Sequence, residues 1–363
     1  MKRGKIRVLS VGGTAYDMGW THGEHYREEI RRYAAERVAL VEAGQWSGKR
    51  PLTRQQVLGL AEACLPAHET YAPDLMDELR GMAAATDLSL AELIIVGGFT
   101  DFIDTVYRAN QRQTLLEPAL AIDDCTAFII PDDQAQGAGF LGQTWDMHDT
   151  ATDFVIMLRI EEAEMADALL FTSTGCLGQI GMNAHGIAVG INNLLGADGQ
   201  FGVTWPFVIR KVLQQDNIED ALACVTEAPL AGAHNYLLFD RVGNGFNVEA
   251  MSTHHVVTPL NGEAIVHTNH CLMPENQTLA QPRLPASQAH SENRLSYAQE
   301  VLAERPITID HLQELTRQAP VCTTSTPPFH VESCGAAIMR PKSGDLWAVW
   351  GVPCDNEYEQ FRV

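Results

Sequence analysis

Cys125 stands behind two acids and ahead of Thr126 and an apolar run, in the stretch "AIDDCTAFII". A thiol in that place is either a small buried hydrophobe or a nucleophile, since free cysteine is among the most buried residue types. It becomes a strong nucleophile only where a base or a local field yields the thiolate. The usual base is a histidine; the chain has 13, none of them in a local signature of the papain or caspase kind. Another solution uses the nucleophile's own α-amino group, whose reference pKa of about 7.7–8.0 suits proton transfer near neutral pH. That solution requires Cys125 to be a chain N-terminus, and so a cut between Asp124 and Cys125. The thiol could make the cut itself, attacking the Asp124 carbonyl to form a thioester that water then hydrolyses.

The elements change character at the same residue. Residues 1–124 read as a mainly helical leader, with helical spacing in "AYDMGWTHGEHYREEIRRYAAERVALVEAG" and Gly44 as a stop. Thr53 and Ser89 stand as caps before "RQQVLGLAEACLPAHETYAPDLMDELRGMAAATD" and "LAELIIVGGFTDFI". From Cys125 onward the runs shorten to strand length: "CTAFII", "GFLGQTWD", "FVIMLRIEE", "ALLFTSTG", "QIGMN" and "GIAVGINNL". Helical pattern returns in "TWPFVIRKVLQQ" and "IEDALACVTEA", followed by strands to "EAIVHTNH". Two more helices, "SENRLSYAQEVLAE" and "TIDHLQELTRQA", precede the strands "GAAIMRP" and "LWAVWG". Strands, then helices, then strands again predict antiparallel sheets packed on helices, in place of βαβ alternation. The glycines of "GCLGQIG" miss the dinucleotide spacing and suit turns between strands.

The formal net charge of −21 argues against a nucleic-acid partner, which needs clustered Lys and Arg, and disfavours an anionic membrane surface. No apolar run reaches the length of a membrane span, and the basic start "MKRGKIRVLSVGG" lacks the apolar core of a secretory signal. The eight cysteines are scattered without CxxC pairs, which suits a reducing compartment and predicts a cytoplasmic setting.

Cys125-Thr126 opening a strand, "GQTWD" (142–146), "GQIGMNAHGIAVGINNL" (178–194) and "HTNHCL" (267–272) together resemble the acyl-coenzyme A:isopenicillin N acyltransferase family, the C45 group of cysteine N-terminal-nucleophile hydrolases. The leader stretches "GTAYDMGWTHGEHYREEI" and "LRGMAAATDLSLAELIIV" resemble the family's propeptide. The resemblance implies an α+β fold, an αββα four-layer sandwich of antiparallel sheets behind a helical leader. It also implies autocatalytic cleavage into 1–124 and 125–363. It assigns the nucleophile to Cys125, an aspartate important to processing and nucleophile geometry to Asp146, and the oxyanion-hole amide to Asn269. A carboxylate at Asp146 would hold a terminal ammonium and raise its pKa. A side-chain N–H on the oxyanion is worth on the order of 3 kcal/mol.

Two departures accompany the resemblance. Cys334 stands in "SCGAA" where the penicillin-forming enzyme carries an arginine, and a cysteine offers no cationic fork. Thr144 replaces the more usual Asn in G-Q-N-W-D. The expected substrate is a small amide or thioester, hydrolysed or used for acyl transfer, with no bound cofactor and acyl-coenzyme A only as a co-substrate. The expected partner is the cleaved leader itself, with assembly into a homo-oligomer left open. Two other readings stand beside this one: a non-processing relative that acts as a binding or scaffold module, and a metallohydrolase using His22/His25, His254/His255 or His267/His270. The loop "NNLLGADGQFGVTWP" is either a plain connection or a wall of the substrate pocket.

Overall fold

The computed structural model of the chain describes residues 4–44, 51–111, 125–161, 166–327 and 330–363. The leader begins with a strand, β1 (Arg7–Gly12), and continues as helices α1 (Ala15–His25), α2 (Arg27–Glu42), α3 (Arg54–Glu62), α4 (Leu65–Tyr71), α5 (Pro73–Thr86), α6 (Leu90–Gly97) and α7 (Phe99–Gln111). The expected caps are present: Thr53 and Ser89 each close a capping box, with their hydroxyls accepting from Gln56 N and Glu92 N. Three expected long helices are broken into shorter ones. Pro66 and Pro73 sit in the first turns of α4 and α5, where a missing N–H does no harm but a continuing helix is impossible.

After Cys125 come β2 (Ala127–Ile130), β3 (Phe140–His148), β4 (Val155–Glu161), β5 (Ala168–Ser173), β6 (Ile180–Asn183) and β7 (Ile187–Asn193). Helices α8 (Trp205–Val212) and α9 (Ile218–Thr226) lead to β8 (His234–Asp240), β9 (Gly245–Ala250), β10 (His255–Pro259) and β11 (Ile265–His267). The chain then forms α10 (Pro274–Gln277), α11 (Pro285–Val301), α12 (Ile309–Arg317), β12 (Val331–Arg340), β13 (Asp345–Trp350) and β14 (Glu359–Arg362). The strands make an eight-stranded sheet, β1-β4-β5-β6-β7-β8-β9-β10, and a six-stranded sheet, β11-β2-β3-β12-β13-β14. Every pairing between these strands is antiparallel except β1 with β4, where Arg7 faces Ile156 and Gly12 faces Glu161.

The strands near the middle of both sheets read as continuous apolar runs because both their faces are covered. Between the sheets, Ile129, Leu141, Met182, Ala188, Leu237 and Ala337 form one core. On the outer face of the larger sheet, Leu79, Met82, Leu158, Leu170 and Phe207 join it to α5 and α8. On the outer face of the smaller one, Phe128, Phe140 and Ile338 meet Ala298 of α11 and Leu312 of α12. The layers therefore run helix, sheet, sheet, helix, as the resemblance implied. The sequence pattern missed β1: its six residues hold only three apolar side chains, and the strand is made by pairing at the sheet edge.

Helices α1 and α5 cross at unusually short range. A Cβ on Gly19 would lie 1.7 Å from the Glu78 carbonyl oxygen, and one on Gly81 would lie 2.1 Å from that of Tyr16. Small residues on both helices permit a backbone-to-backbone contact no larger side chain allows. The leader is pinned to the rest of the chain by buried polar links as well. Glu78 pairs in a fork with Arg210 at 3.1 and 2.8 Å, Asp101 accepts from Trp205 N at 2.6 Å, and Asp104 accepts from Gly196 N and Ala233 N.

Candidate active site

Cys125 heads β2 and is buried, with its Sγ 3.4 Å from the backbone N–H of Asp146, which donates to it. This contact follows from register. β2 pairs with β3 so that Ala127 faces Gln143, which places the residue before the strand beside the far end of β3. Thr126 N donates to Thr144 Oγ1 at 3.1 Å and Thr126 O accepts from Thr144 N at 3.0 Å, so the threonine that departs from the family pattern fixes the residue after Cys125. Gln143 reaches across to the other sheet, donating to Ile191 O at 2.9 Å and accepting from Ile191 N at 2.5 Å. That carboxamide clips the two sheets together beside the cysteine.

The Cys125 carbonyl accepts from Arg294 Nη1 at 2.6 Å and from Asn192 Nδ2 at 3.2 Å. Arg294, buried on α11, also donates to Thr126 Oγ1 at 3.0 Å and, through Nη2, to Asn269 Oδ1 at 3.0 Å. One planar fork thus serves three acceptors in a fixed geometry that a flexible lysine ammonium does not impose. Sequence reasoning gave neither Arg294 nor Asn192 a role. Arg294 shares the buried side of α11 with Ser287, Ser291 and Ala298, so no apolar stripe marked it in sequence.

Asn269 lies two residues beyond His267, which pairs with Ala127, itself two residues beyond Cys125. The register therefore carries both to one end of the ladder. Asn269 is buried, and its Nδ2 donates to Asn193 O at 3.1 Å. It is joined to Cys125 through Arg294 and does not line the cavity at the thiol. His267 of the same motif is an anchor: its Nε2 lies 2.9 Å from Glu249 Oε1 and its Nδ1 2.8 Å from Thr268 O. Asp124 lies outside the described residues.

Cys125 and Asp146 share a cavity of about 40 Å³. That is room for a water or two, not for an acyl group. Its lining combines Cys125, Trp145, Asp146, Met147, Ile191 and Asn193 with Tyr33, Arg37, Val96, Gly97, Phe99 and Thr100 of the first 124 residues. The Gly-rich loop contributes its two ends, Asn193 and Trp205, while its middle folds onto Asp104 of α7. Cys334 is fully buried at a bulge between Ser333 and Gly335, and burial pushes its thiol well up, so it is a poor source of thiolate. His22 accepts from Gly175 N at 3.1 Å, and among the described residues no three His, Cys, Asp or Glu side chains gather as a metal ligand set.

The family of acyl-coenzyme A:6-aminopenicillanic acid acyl-transferases matches residues 133–353, more than half of the chain. The chain belongs to this acyltransferase family. One relative, the 40 kDa form of acyl-coenzyme A:6-aminopenicillanic-acid-acyltransferase from Emericella nidulans, is 22% identical over 268 residues, covering 73% of this chain and 69% of its own. Among solved structures, the N-acylethanolamine-hydrolyzing acid amidase ortholog of Caenorhabditis elegans superposes with a TM-score of 0.44 at 15% identity, over 60% of this chain and 93% of that one. A variant of the conjugated bile acid hydrolase from Clostridium perfringens gives 0.45 at 12% identity, over 66% and 97%. Within the acyltransferase family's matched span fall Asp146, Asn192, Asn269 and Arg294, while Cys125 lies just ahead of it.

Proposed function

We propose that the chain is an autoprocessing cysteine amidohydrolase or acyltransferase whose nucleophile is Cys125. The observation that carries this reading is the setting of Cys125: a thiol just ahead of β2, lining a cavity with Asp146, with its own carbonyl held by Arg294 and Asn192. Any buried carbonyl outside the ladder needs donors; what separates this thiol from core filling is that it lines a cavity together with Asp146.

In the first step the Cys125 thiol attacks the Asp124 carbonyl, the C–N bond breaks, and its nitrogen leaves as the new α-amine. Water hydrolyses the resulting thioester, leaving a carboxylate on Asp124 and a free thiol on Cys125. The freed amine then serves as base in turnover. It takes the thiol proton, sulfur attacks the substrate carbonyl, and the amine leaving group departs with that proton. The acyl group on sulfur passes to water or to an amine. Asp146, buried beside the thiol, orients the ammonium, and Asn269, held by Arg294, together with a backbone N–H, supplies the oxyanion donors. The acyl-coenzyme A relative supports transfer from a thioester as one form of the reaction. The absence of an arginine at position 334 favours water as the acceptor.

The leader remains as the second subunit, because β1, the Glu78–Arg210 fork and the apolar faces of α5 and α6 would otherwise be left open to water. Intact mass and N-terminal sequencing should find fragments 1–124 and 125–363 that copurify, and a single chain for Cys125→Ala. A wild type that stays whole through expression and long incubation would remove the base from this mechanism and leave a binding module.

A further inference from the structure

Arg37 lies on α2, in the leader, and lines the same cavity as Cys125. It has no measurable exposure. Burying a guanidinium is unfavourable unless anionic or polar partners replace its water. Its neighbours do so only in part. Nη2 donates to Tyr33 Oη at 2.7 Å and Nη1 to His148 Nδ1 at 3.1 Å, with Met147 Sδ a weak third at 3.8 Å. The cation also sits over two rings, 4.5 Å from the centre of Tyr33 and 4.8 Å from that of Phe99. All of these partners are uncharged; the same burial and the Arg37 charge hold His148 neutral, at a pKa of about 3. Among the described residues no carboxylate stands within ion-pair distance of Arg37, and its Nε–H has no acceptor. Nε and Nη2 share the edge of the guanidinium that carboxylates take with two parallel hydrogen bonds.

We propose that Arg37 is the specificity residue of this site and that it selects amides carrying a carboxylate. The geometry on which this rests is a buried arginine with no ion-pair partner among the described residues and a free Nε–H, on the wall of the cavity that Cys125 and Asp146 also line. At about 40 Å³ the cavity must widen before it admits such a molecule; the lining from Phe99, Trp145, Val96 and Ile191 then meets its apolar part and Arg37 its charged end. The word "substrate" here depends on the reading of Cys125 as nucleophile; the preference for a carboxylate does not.

Two pairs of probes locate the charge. N-octanoylglycine and N-octanoylglycinamide differ by a carboxylate on the amine side of the scissile bond. N-butylglutaramic acid and its methyl ester differ by one on the acyl side. The purified protein should favour the charged member of one pair by about 10- to 100-fold in kcat/KM, chiefly through KM. The preference should vanish in Arg37→Met and be reduced in Arg37→Lys, which keeps the charge but loses the fork. Equal turnover of charged and neutral twins in both pairs, or a preference that survives Arg37→Met, overturns the proposal. The wild-type comparison decides the matter even where Arg37→Met does not fold. Calorimetric binding of the same compounds needs no turnover. A carboxylate preference in binding with no turnover would therefore sink the Cys125 reading and leave this one standing, and equal binding of both twins would do the reverse.

Discussion

Asn269 shows how one side chain can be assigned two jobs by the same contacts. Its Oδ1 accepts from Arg294, which orients the amide, and one N–H goes to Asn193 O, leaving a second N–H of Nδ2 as the candidate oxyanion donor. A donor of that kind is worth most when the carbonyl oxygen becomes charged. Asn269→Ala should therefore lower kcat by about 100- to 1000-fold with little change in KM, in protein first confirmed to be cut. A cleaved, folded Asn269→Ala protein that retains its kcat would make Asn269 part of the scaffold, leaving backbone N–H groups as the donors. The motif "HTNHCL" singled this residue out only through the family resemblance; the β11–β2 register that carries it to the Cys125 end of the ladder depends on pairing distant in sequence, which no strand pattern shows. Arg294 was not legible. It is 25 residues further on, on a helix with exposed neighbours, and its meaning depends on three acceptors from distant segments, Cys125, Thr126 and Asn269.

Elements were readable where local chemistry decides them. Thr53 and Ser89 cap helices because their hydroxyls meet donors three residues on, a contact independent of the rest of the fold. The buried strands around "CTAFII" and "GIAVGINNL" were readable because both faces are covered, so apolar residues run without a break. β1 was not, since pairing with β4 creates it, and neither was the division of the leader's long helices. The crossing of α1 and α5 was also invisible as a pattern, although its glycines were in plain sight. Gly81→Val should force the two helices apart and cost about 3 kcal/mol or more, read as a drop in the urea midpoint at unchanged slope. A change within about 0.5 kcal/mol would mean that the helices slide freely past one another.

The molecule as a whole should weaken in mild acid. Burial holds His22 at a pKa of about 3, with the Arg210 and His25 charges lowering it further, and burial holds His68 at about 4. Both folded values lie below the ordinary 6.5, so the neutral rings favour the fold. Their contribution is complete above about pH 6.5 and is lost as the pH falls through that value toward about 3–4. The loss is up to about 1.4 kcal/mol per pH unit for each ring. Asp104 works in the opposite direction: burial raises its pKa well above the usual carboxylate range, so folding takes up a proton there and offsets part of the loss. Urea midpoints measured from about pH 7.5 to 4.5 should decline with falling pH. A flat profile between about pH 7 and 5 would mean that these rings accept their charge in place.

The cavity wall is divided between two lengths of chain, with the thiol, Asp146 and Asn193 on one and Tyr33, Arg37, Phe99 and Thr100 on the other. Changes in the first third of the gene should therefore redraw what the cavity accepts while the groups proposed to react, encoded downstream, stay as they are. Exchanging that third between related genes should move selectivity from one enzyme to another as a cassette.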